Sequence, residues 1–237
     1  MILLRSILFT SLMFLTIPPY ALAVIIFRPF GSDVSYAIAK KWVSLVAFLC
    51  RVLCGLTWTV EGQENIPDKP SVVMIKHSSA YETFLQLLIF PRQVWVLKRE
   101  LIWSPFFGWA AATVNPIAIN RGARGAAVQQ VVEQGKARLG EGIWVMVYPE
   151  GTRMAPGETR RYGISGTVLA QEAGTSLVPV AHNAGDFWPK RGWRKKPGCV
   201  TFVIGKPVDP AGREAREVNE EIQAWVEATV ARLRAAP

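Results

Sequence analysis

Residues 71–89 read SVVMIKHSSAYETFLQLLI and decide the fold class. A short β-branched run ends at Lys76 and His77, and an apolar helical pattern follows from Glu82. The same alternation recurs along the chain. Strands are predicted at 71–75, 94–97, 116–119, 143–147, 176–180 and 200–204, and helices at 82–89, 123–139, 164–172 and 213–234. Strands that alternate with helices predict an α/β fold: a mixed, largely parallel sheet flanked by helices.

Composition excludes several classes of protein. Of 237 residues, 50% are hydrophobic and 19% charged, which argues against a disordered or fibrous chain. Cys50, Cys54 and Cys199 form no even disulfide framework and no CxxC pair, so we expect buried thiols. With His77 and His182 as the two histidines, a multi-histidine metal centre is not expected, and magnesium bound by oxygen ligands stays open.

The N-terminal quarter is apolar and basic. Residues 6–27 contain no charged side chain, and about 20 apolar residues are enough to span a bilayer. Pro18 and Pro19 fall inside this stretch and predict a kinked or re-entrant helix. The alternative is a secretory signal peptide, because residues 21–23 resemble a cleavage site. A second apolar segment follows at once, which favours membrane association.

That second segment, residues 40–60, is divided by Arg51 into two short apolar stretches. Lys40 and Arg51 lie about three helical turns apart and share a face. The pattern predicts an amphipathic helix at the headgroup level, with its cations toward anionic lipid. Together the two segments form an N-terminal apolar two-helix membrane motif.

His77 and Glu82 are the first candidate for chemistry. They cannot face each other within one helix, but they can meet if His77 ends a strand and Glu82 lies in the first turn of the next helix. A carboxylate on one imidazole nitrogen leaves the other free as a base, which is worth about 10² to 10⁴ in rate. The alternative is structural, since Ser79-x-x-Glu82 is also a capping box.

Two loops offer donors for an anion. Arg121 follows the strand that ends at residue 119, and Arg153 closes the stretch YPEGTR at 148–153. Arginine presents a planar fork of donors that suits phosphate, and Gly151 lets backbone N–H groups approach an anion. Two arginines at neighbouring strand ends would form a phosphate clamp, whereas ordinary surface ion pairs are the alternative. His182 is expected to line or support the cleft.

Four sequence blocks together carry a family resemblance. They are His77-x4-Glu82, the stretch KREL at 98–101 with Pro105 and Gly108 before Asn120 and Arg121, PEGTR at 149–153, and VPV at 178–180. In this order and spacing, over about residues 58–208, the chain resembles the 1-acyl-sn-glycerol-3-phosphate acyltransferase family of the PlsC type. The resemblance implies the glycerolipid acyltransferase fold, with a membrane-associated motif at 1–60 and a catalytic domain at 61–237.

The resemblance also implies the reaction and the roles of its residues. A fatty acyl group passes from acyl-CoA or acyl carrier protein to the sn-2 hydroxyl of lysophosphatidic acid, giving phosphatidic acid without a cofactor, a metal or a covalent acyl-enzyme. It makes His77 the general base and Glu82 its orienting carboxylate. The implied substrate-binding residues are Lys98, Arg121, Glu150, Gly151, Thr152 and Arg153. The implied location is the cytoplasmic face of a bacterial inner membrane.

Two departures from the family pattern and two alternative functions accompany the resemblance. Glu82 stands where the family usually has Asp, and Gly163 replaces a basic residue. The loop 188–196 mixes tryptophans with cations, which suits anionic headgroups or acidic acyl carrier protein, or is merely solvated. No nucleic-acid motif accompanies it. Another lysolipid acceptor, such as a lyso-ornithine lipid, or a non-enzymatic membrane lipid-binding protein are the alternative functions.

Overall fold

The computed structural model describes residues 1–120 and 124–235, with the backbone alone at residue 124. The helices are α1 (Ile2–Ile26), α2 (Ser32–Leu49), α3 (Tyr81–Ile89), α4 (Phe107–Thr113), α5 (Arg124–Gly140), α6 (Ser165–Ala173), α7 (Ala184–Phe187) and α8 (Ala215–Ala235). The strands are β1 (Leu56–Glu61), β2 (Val72–Ile75), β3 (Gln93–Lys98), β4 (Ile117–Ile119), β5 (Trp144–Val147), β6 (Leu177–His182) and β7 (Gly198–Ile204).

Within these described ranges the strands form one seven-stranded sheet in the order β1-β7-β6-β2-β5-β3-β4. Its neighbours pair in parallel, except that β6 and β7 run antiparallel. The predicted mixed, largely parallel sheet is therefore confirmed. The carboxyl ends of β2, β5 and β3 lie side by side, which is where open parallel sheets place their sites.

The chain enters the sheet earlier than predicted. Instead of a helix that continues to residue 60, α2 ends at Leu49, one π-helical turn covers Cys50–Cys54, and Gly55 at φ +67° closes it. β1 then pairs in parallel with β7. Its composition, LTWTVE, is rich in β-branched and aromatic residues, which favours a strand. The boundary between the membrane-associated motif at 1–60 and the catalytic domain at 61–237 stays a prediction. It would cut through this strand.

α1 is continuous through Pro18 and Pro19 and docks on the rest of the molecule. Phe9 is fully buried, with its ring 5.4 Å from that of Trp188 in an edge-on contact. The buried Lys195 donates from Nζ to Thr10 Oγ1 at 2.6 Å. Among the described helices, α1 is the one long and apolar enough to cross a membrane. Its other face is exposed and apolar.

Two apolar cores cover the two faces of the sheet. The N-terminal helices and α3 pack on one face. On the other face, α8 buries Val218, Ile222 and Val226, which confirms the helical stripe read from the sequence. The cysteine prediction is partly wrong: Cys50 and Cys54 are buried, but Cys199 is exposed.

Gly108 shows how tightly α4 packs on the turn before it. A Cβ atom at this position would overlap the carbonyl oxygens of Leu101 and Ile102. Both oxygens belong to backbone, so a side chain here can fit only if the turn moves. α4 and this turn form one wall of the cavity described below.

We expect Gly108→Ala to lower the free energy of unfolding by about 1–3 kcal/mol, because the added methyl overpacks a backbone contact. The matched control is Gly125→Ala in α5, where, apart from the adjacent turns of the same helix, no described atom lies within 4 Å of the added methyl. There the better helix propensity of alanine predicts a gain of up to about 1 kcal/mol. Urea unfolding in detergent measures both. Equal effects of the two substitutions would contradict the packing argument.

Candidate active site

Adjacent strand ends bring the candidate residues together. β2 ends just before Lys76 and His77, and β5 ends just before Tyr148. Met74 pairs with Val147 in parallel register, so the segments that follow these two residues leave the same edge of the sheet. β3, on the other side of β5, delivers Lys98 at its last position.

His77 and Glu82 form a dyad. Nδ1 of His77 lies 2.8 Å from Oε1 of Glu82, which is fully buried in the first turn of α3. With Nδ1 as the donor to this carboxylate, the neutral imidazole keeps its lone pair on Nε2, which has no hydrogen-bond partner among the described residues. The geometry that the sequence required for this pair, one residue after a strand and one in the next helix, is confirmed.

The capping-box alternative does not describe this helix start. The N-cap residue is Ala80, which makes no side-chain cap. Ser79 Oγ accepts from the backbone N–H of Tyr81 at 3.0 Å. Glu82 Oε1 instead accepts from His77 and, at 3.3 Å, from the backbone N–H of Ser78. Its carboxylate is thus directed at the imidazole.

Tyr148 fixes the plane of the imidazole. Its ring lies over the His77 ring, with centroids 4.2 Å apart and an interplanar angle of 30°. The Tyr148 hydroxyl donates to Gln86 Oε1 at 2.9 Å, which attaches it to α3. Burial raises the pKa of Tyr148 well above its usual value, so the hydroxyl stays a neutral donor. Tyr148 begins the YPEGTR stretch, and no local sequence pattern indicates its contact with His77.

A cavity of about 620 Å³ opens at His77. Its walls come from α1, α2, α3, α4 and β3, and they are mostly apolar. Tyr36 lines it and lies beside Gln93 at the start of β3, whereas His77 lies at the carboxyl edge of the sheet. The cavity therefore runs along β3 beneath the N-terminal helices. Its volume falls in the range of small-molecule sites, about 300–1,000 Å³.

Basic side chains border the cavity near His77. Lys98 and Arg153 both line it, as does Gly151, whose φ is +68°. Thr152 is beside them, and its Oγ1 lies 3.4 Å from Lys190 Nζ. Lys190 also donates to the Arg153 carbonyl at 2.8 Å. Lys190 belongs to the loop 188–196, which mixes tryptophans with cations. No local sequence pattern indicates that this lysine contacts Thr152 and Arg153.

Glu150 lies away from the cavity. It is 2% exposed, Oε1 accepts from Lys76 Nζ at 2.8 Å, and Oε2 accepts from the backbone N–H of His77 at 2.8 Å. Both oxygens are engaged beneath the dyad, so this geometry does not match the implied contact with an acceptor. The block PEGTR thus divides: Glu150 faces inward, and Gly151 and Arg153 face the cavity.

Arg121 lies outside the described residues, but the topology corrects one expectation about it. The strand before it, β4, is separated from β5 by β3. The ends that precede Arg121 and Arg153 are therefore not neighbours, contrary to the prediction. Lys98 is the last residue of β3, the strand that lies between β4 and β5.

His182 supports the site from below. It is 1% exposed, its Nε2 lies 2.7 Å from the Lys76 carbonyl, and its Nδ1 accepts from the backbone N–H of Ala184 at 3.2 Å. This pattern requires the neutral ring with the proton on Nε2. Burial lowers the pKa of His182, which keeps the ring neutral.

A family model described as Acyltransferase matches residues 57–183, from β1 through β6 and the dyad. The chain belongs to this acyltransferase family. It is similar to a Pseudomonas aeruginosa protein named 1-acyl-sn-glycerol-3-phosphate acyltransferase, with 43% identity across 83% of this chain and 77% of that protein. A human protein named 1-acyl-sn-glycerol-3-phosphate acyltransferase alpha is 29% identical across 73% of this chain and 62% of its own length.

The fold agrees with a solved structure. The crystal structure of the 1-acyl-sn-glycerophosphate (LPA) acyltransferase PlsC from Thermotoga maritima superposes with a TM-score of 0.82, covering 100% of this chain and 97% of that one at 24% identity. The family resemblance and the fold predicted from the sequence are confirmed.

The buried neutral His182 predicts a pH dependence of stability. In the unfolded chain a histidine takes up a proton near pH 6.5, but folded His182 has a lowered pKa and does not. The unfolded state therefore binds more protons below that pH. We expect the free energy of unfolding to fall on acidification by up to about 1.4 kcal/mol per pH unit from this group.

His182→Gln removes the titrating group and can still donate to the Lys76 carbonyl. Urea unfolding at several pH values should give a smaller acid-dependent loss for the variant than for the wild type between pH 6.5 and the lowered pKa. Parallel pH curves for the two proteins would show that His182 is not the group responsible.

Proposed function

We propose that the protein transfers a fatty acyl group from a thioester to the sn-2 hydroxyl of lysophosphatidic acid, with phosphatidic acid as the product. The observation that carries the proposal is the His77–Glu82 dyad at the mouth of an apolar cavity. The 43% identical Pseudomonas protein, whose name gives the same activity, supports it.

The chemistry follows from the free lone pair on His77 Nε2. Nε2 removes the proton of the acceptor hydroxyl while that oxygen attacks the thioester carbonyl carbon. Glu82, 2.8 Å from Nδ1, stabilises the imidazolium that forms. The tetrahedral intermediate collapses, the C–S bond breaks, and the proton passes from His77 to the leaving thiolate. The products are the ester and the free thiol, and the acyl group is never bound covalently to the enzyme.

The cavity supports an acyl-chain site. Its walls are apolar from His77 to Tyr36, so an acyl chain can leave water while its carbonyl stays beside the dyad. Near His77 the border of the cavity is basic rather than apolar. Lys98 and Arg153 border the cavity there and suit the acceptor's phosphate, together with Gly151 and Thr152. Arg121 remains a proposed partner on the strength of the family motif.

Membrane association would bring the lysolipid acceptor to this site. The exposed side of α1 carries large apolar side chains at Leu3, Leu4, Phe14 and Leu15. α1 and α2 contribute Val24, Tyr36 and Trp42 to the cavity wall. We propose that these helices form the membrane-associated motif and that the domain faces the cytoplasm, where acyl-CoA and acyl carrier protein are found. The exposed cations of loop 188–196 suit either anionic headgroups or acidic acyl carrier protein.

The proposal is tested by acyl transfer with purified protein in detergent. Radiolabelled acyl-CoA and acyl carrier protein are offered with a panel of lysolipids that includes lysophosphatidic acid and a lyso-ornithine lipid. We expect turnover with lysophosphatidic acid and a loss of at least about 10²-fold in kcat for His77→Ala, because the general base is removed.

Each outcome has a distinct meaning. Turnover with a different lysolipid alone would keep the dyad and change the acceptor. His77→Ala with more than a tenth of wild-type kcat would contradict the base assignment. Lipid binding without turnover for any donor and acceptor would favour a lipid-binding protein.

The length of the cavity should set the acyl-chain preference. Val24 lines it, and its carbonyl accepts from Ser35 Oγ at 2.9 Å, next to Tyr36 and away from His77. Val24→Phe should lower kcat/KM for a palmitoyl donor relative to an octanoyl donor by about tenfold or more, because the longer chain loses its space. Leu22→Phe, on the exposed side of α1, is the control. An unchanged palmitoyl-to-octanoyl ratio in Val24→Phe would contradict this use of the cavity.

A further inference from the structure

An ion cluster lies directly beneath the proposed base, with the Lys76 and Glu150 side chains buried and the Glu227 side chain 26% exposed. Lys76, the residue before His77, is 3% exposed. Its ammonium donates to Glu150 Oε1 at 2.8 Å, to Glu227 Oε1 at 2.8 Å, and to the Glu158 carbonyl at 2.9 Å. A lysine ammonium has three N–H groups, so each of them has an acceptor here.

The cluster reaches the backbone of His77 through Glu150. Oε2 of Glu150 accepts from the His77 N–H at 2.8 Å. On the other side of the same residue, the His77 carbonyl accepts from the Met154 N–H at 2.7 Å. The position of His77 is therefore tied to the loop that also carries Tyr148 and Arg153. A shift of Glu150 would move the base relative to the cavity.

The charge of the buried Glu150 depends on its pairing with Lys76. Burial raises the pKa of Glu150, whereas the hydrogen bond and charge of Lys76 act in the opposite direction. Two buried charges hold their geometry only if the remaining donors are also satisfied. Glu227 supplies that condition, because it binds the same ammonium with both oxygens, at 2.8 and 3.0 Å.

Glu227 comes from a distant part of the chain. It lies on α8, beyond the segment 57–183 that the family model matches. Its Oε1 also accepts from Thr159 Oγ1 at 3.0 Å and from the Tyr162 hydroxyl at 3.2 Å. These contacts keep the carboxylate fixed against the segment that follows the PEGTR loop.

We propose that Glu227 is a positioning residue for His77, acting through Lys76 and Glu150 from the C-terminal helix. The proposal rests on the proposed function, in which His77 is the base. Removing the charge of Glu227 leaves Lys76 underpaired, so the lysine and Glu150 move together and the His77 imidazole loses its alignment with the acceptor hydroxyl. Misplacement of a reacting group by about 1 Å can cost about 10²-fold in rate.

The first experiment compares Glu227→Gln with wild type in the acyl-transfer assay. Glutamine keeps the size of the side chain and a carbonyl oxygen for Thr159 and Tyr162, but it loses the charge. We expect kcat to fall about tenfold, with the KM of the acyl donor unchanged, because the proposed acyl-chain site on α1 and α2 lies away from this loop. Glu227→Asp, which keeps the charge, should recover part of the loss.

The matched control is Glu221→Gln on the same helix. Glu221 pairs with Arg213 at 2.6 Å, and both side chains are exposed. It should leave kcat unchanged. Thermal unfolding of each variant and normalisation of kcat to folded protein separate positioning from stability. A loss of kcat in Glu227→Gln that disappears on normalisation would overturn the proposal.

A double-mutant cycle tests the route through Lys76. If Glu227 acts through this lysine, Glu227→Gln should have no further effect on kcat in a Lys76→Gln background. If Lys76→Gln does not fold, Glu150→Gln replaces it in the cycle. Fully additive losses of kcat would overturn the proposal.

The His77 variant separates this inference from the proposed function. His77→Ala without activity, together with an unchanged kcat in Glu227→Gln, would reject the inference alone. A fully active His77→Ala would reject both. Reduced kcat in Glu227→Gln, an unchanged KM for the acyl donor and non-additivity with Lys76→Gln together support the positioning role.

Discussion

The parallel pairing of β2 with β5 is the constraint on which the site depends. Because Met74 and Val147 are in register, the chain leaves both strands at one edge, with Lys76 and His77 beside Tyr148 and Glu150. The pleat places neighbouring side chains on opposite sides. Lys76 accordingly enters the buried cluster and His77 faces the cavity. A slip of one residue in this register would exchange the two sides.

The same edge of the sheet separates two kinds of environment. Below the edge, Lys76, Glu150 and His182 are almost fully buried and their polar atoms make contacts of 2.7 to 3.2 Å. A low local dielectric makes such contacts strong and makes their loss costly. Above it, the His77 side chain retains 16% exposure, and its Nε2 has no hydrogen-bond partner within the part of the chain that the structure describes. The buried hydrogen bonds hold the backbone of Lys76 and His77 in place, and the His77 Nε2 atom stays accessible.

The N-terminal helices are part of the site as well as its proposed anchor. α1 is tied to the domain by Phe9, Thr10 and the buried Lys195, and α1 and α2 supply one side of the cavity. An apolar ligand therefore needs these helices for its binding surface. The exposed face of these helices is also apolar. The same two helices therefore provide both the proposed acyl-chain site and the proposed membrane contact.

The sequence by itself determined the fold class, six of the strands, the helical stripe of α8 and the family, because these depend on local periodicity and on motif spacing. It also predicted that His77 and Glu82 can meet, since five residues cannot align within one helix but can across a strand-to-helix turn. It placed the end of the second helix too late, because an apolar run such as LTWTVE does not reveal its partner strand.

The tertiary structure decided the contacts between residues far apart in the chain. It turned Glu150 inward, separated β4 from β5, directed Lys190 to Arg153, and brought Glu227 of the last helix to Lys76. No local sequence pattern indicates any of these arrangements. Each is set by strand order and by the requirement that buried charges find partners, and both conditions are fulfilled only when the whole sheet and α8 are assembled.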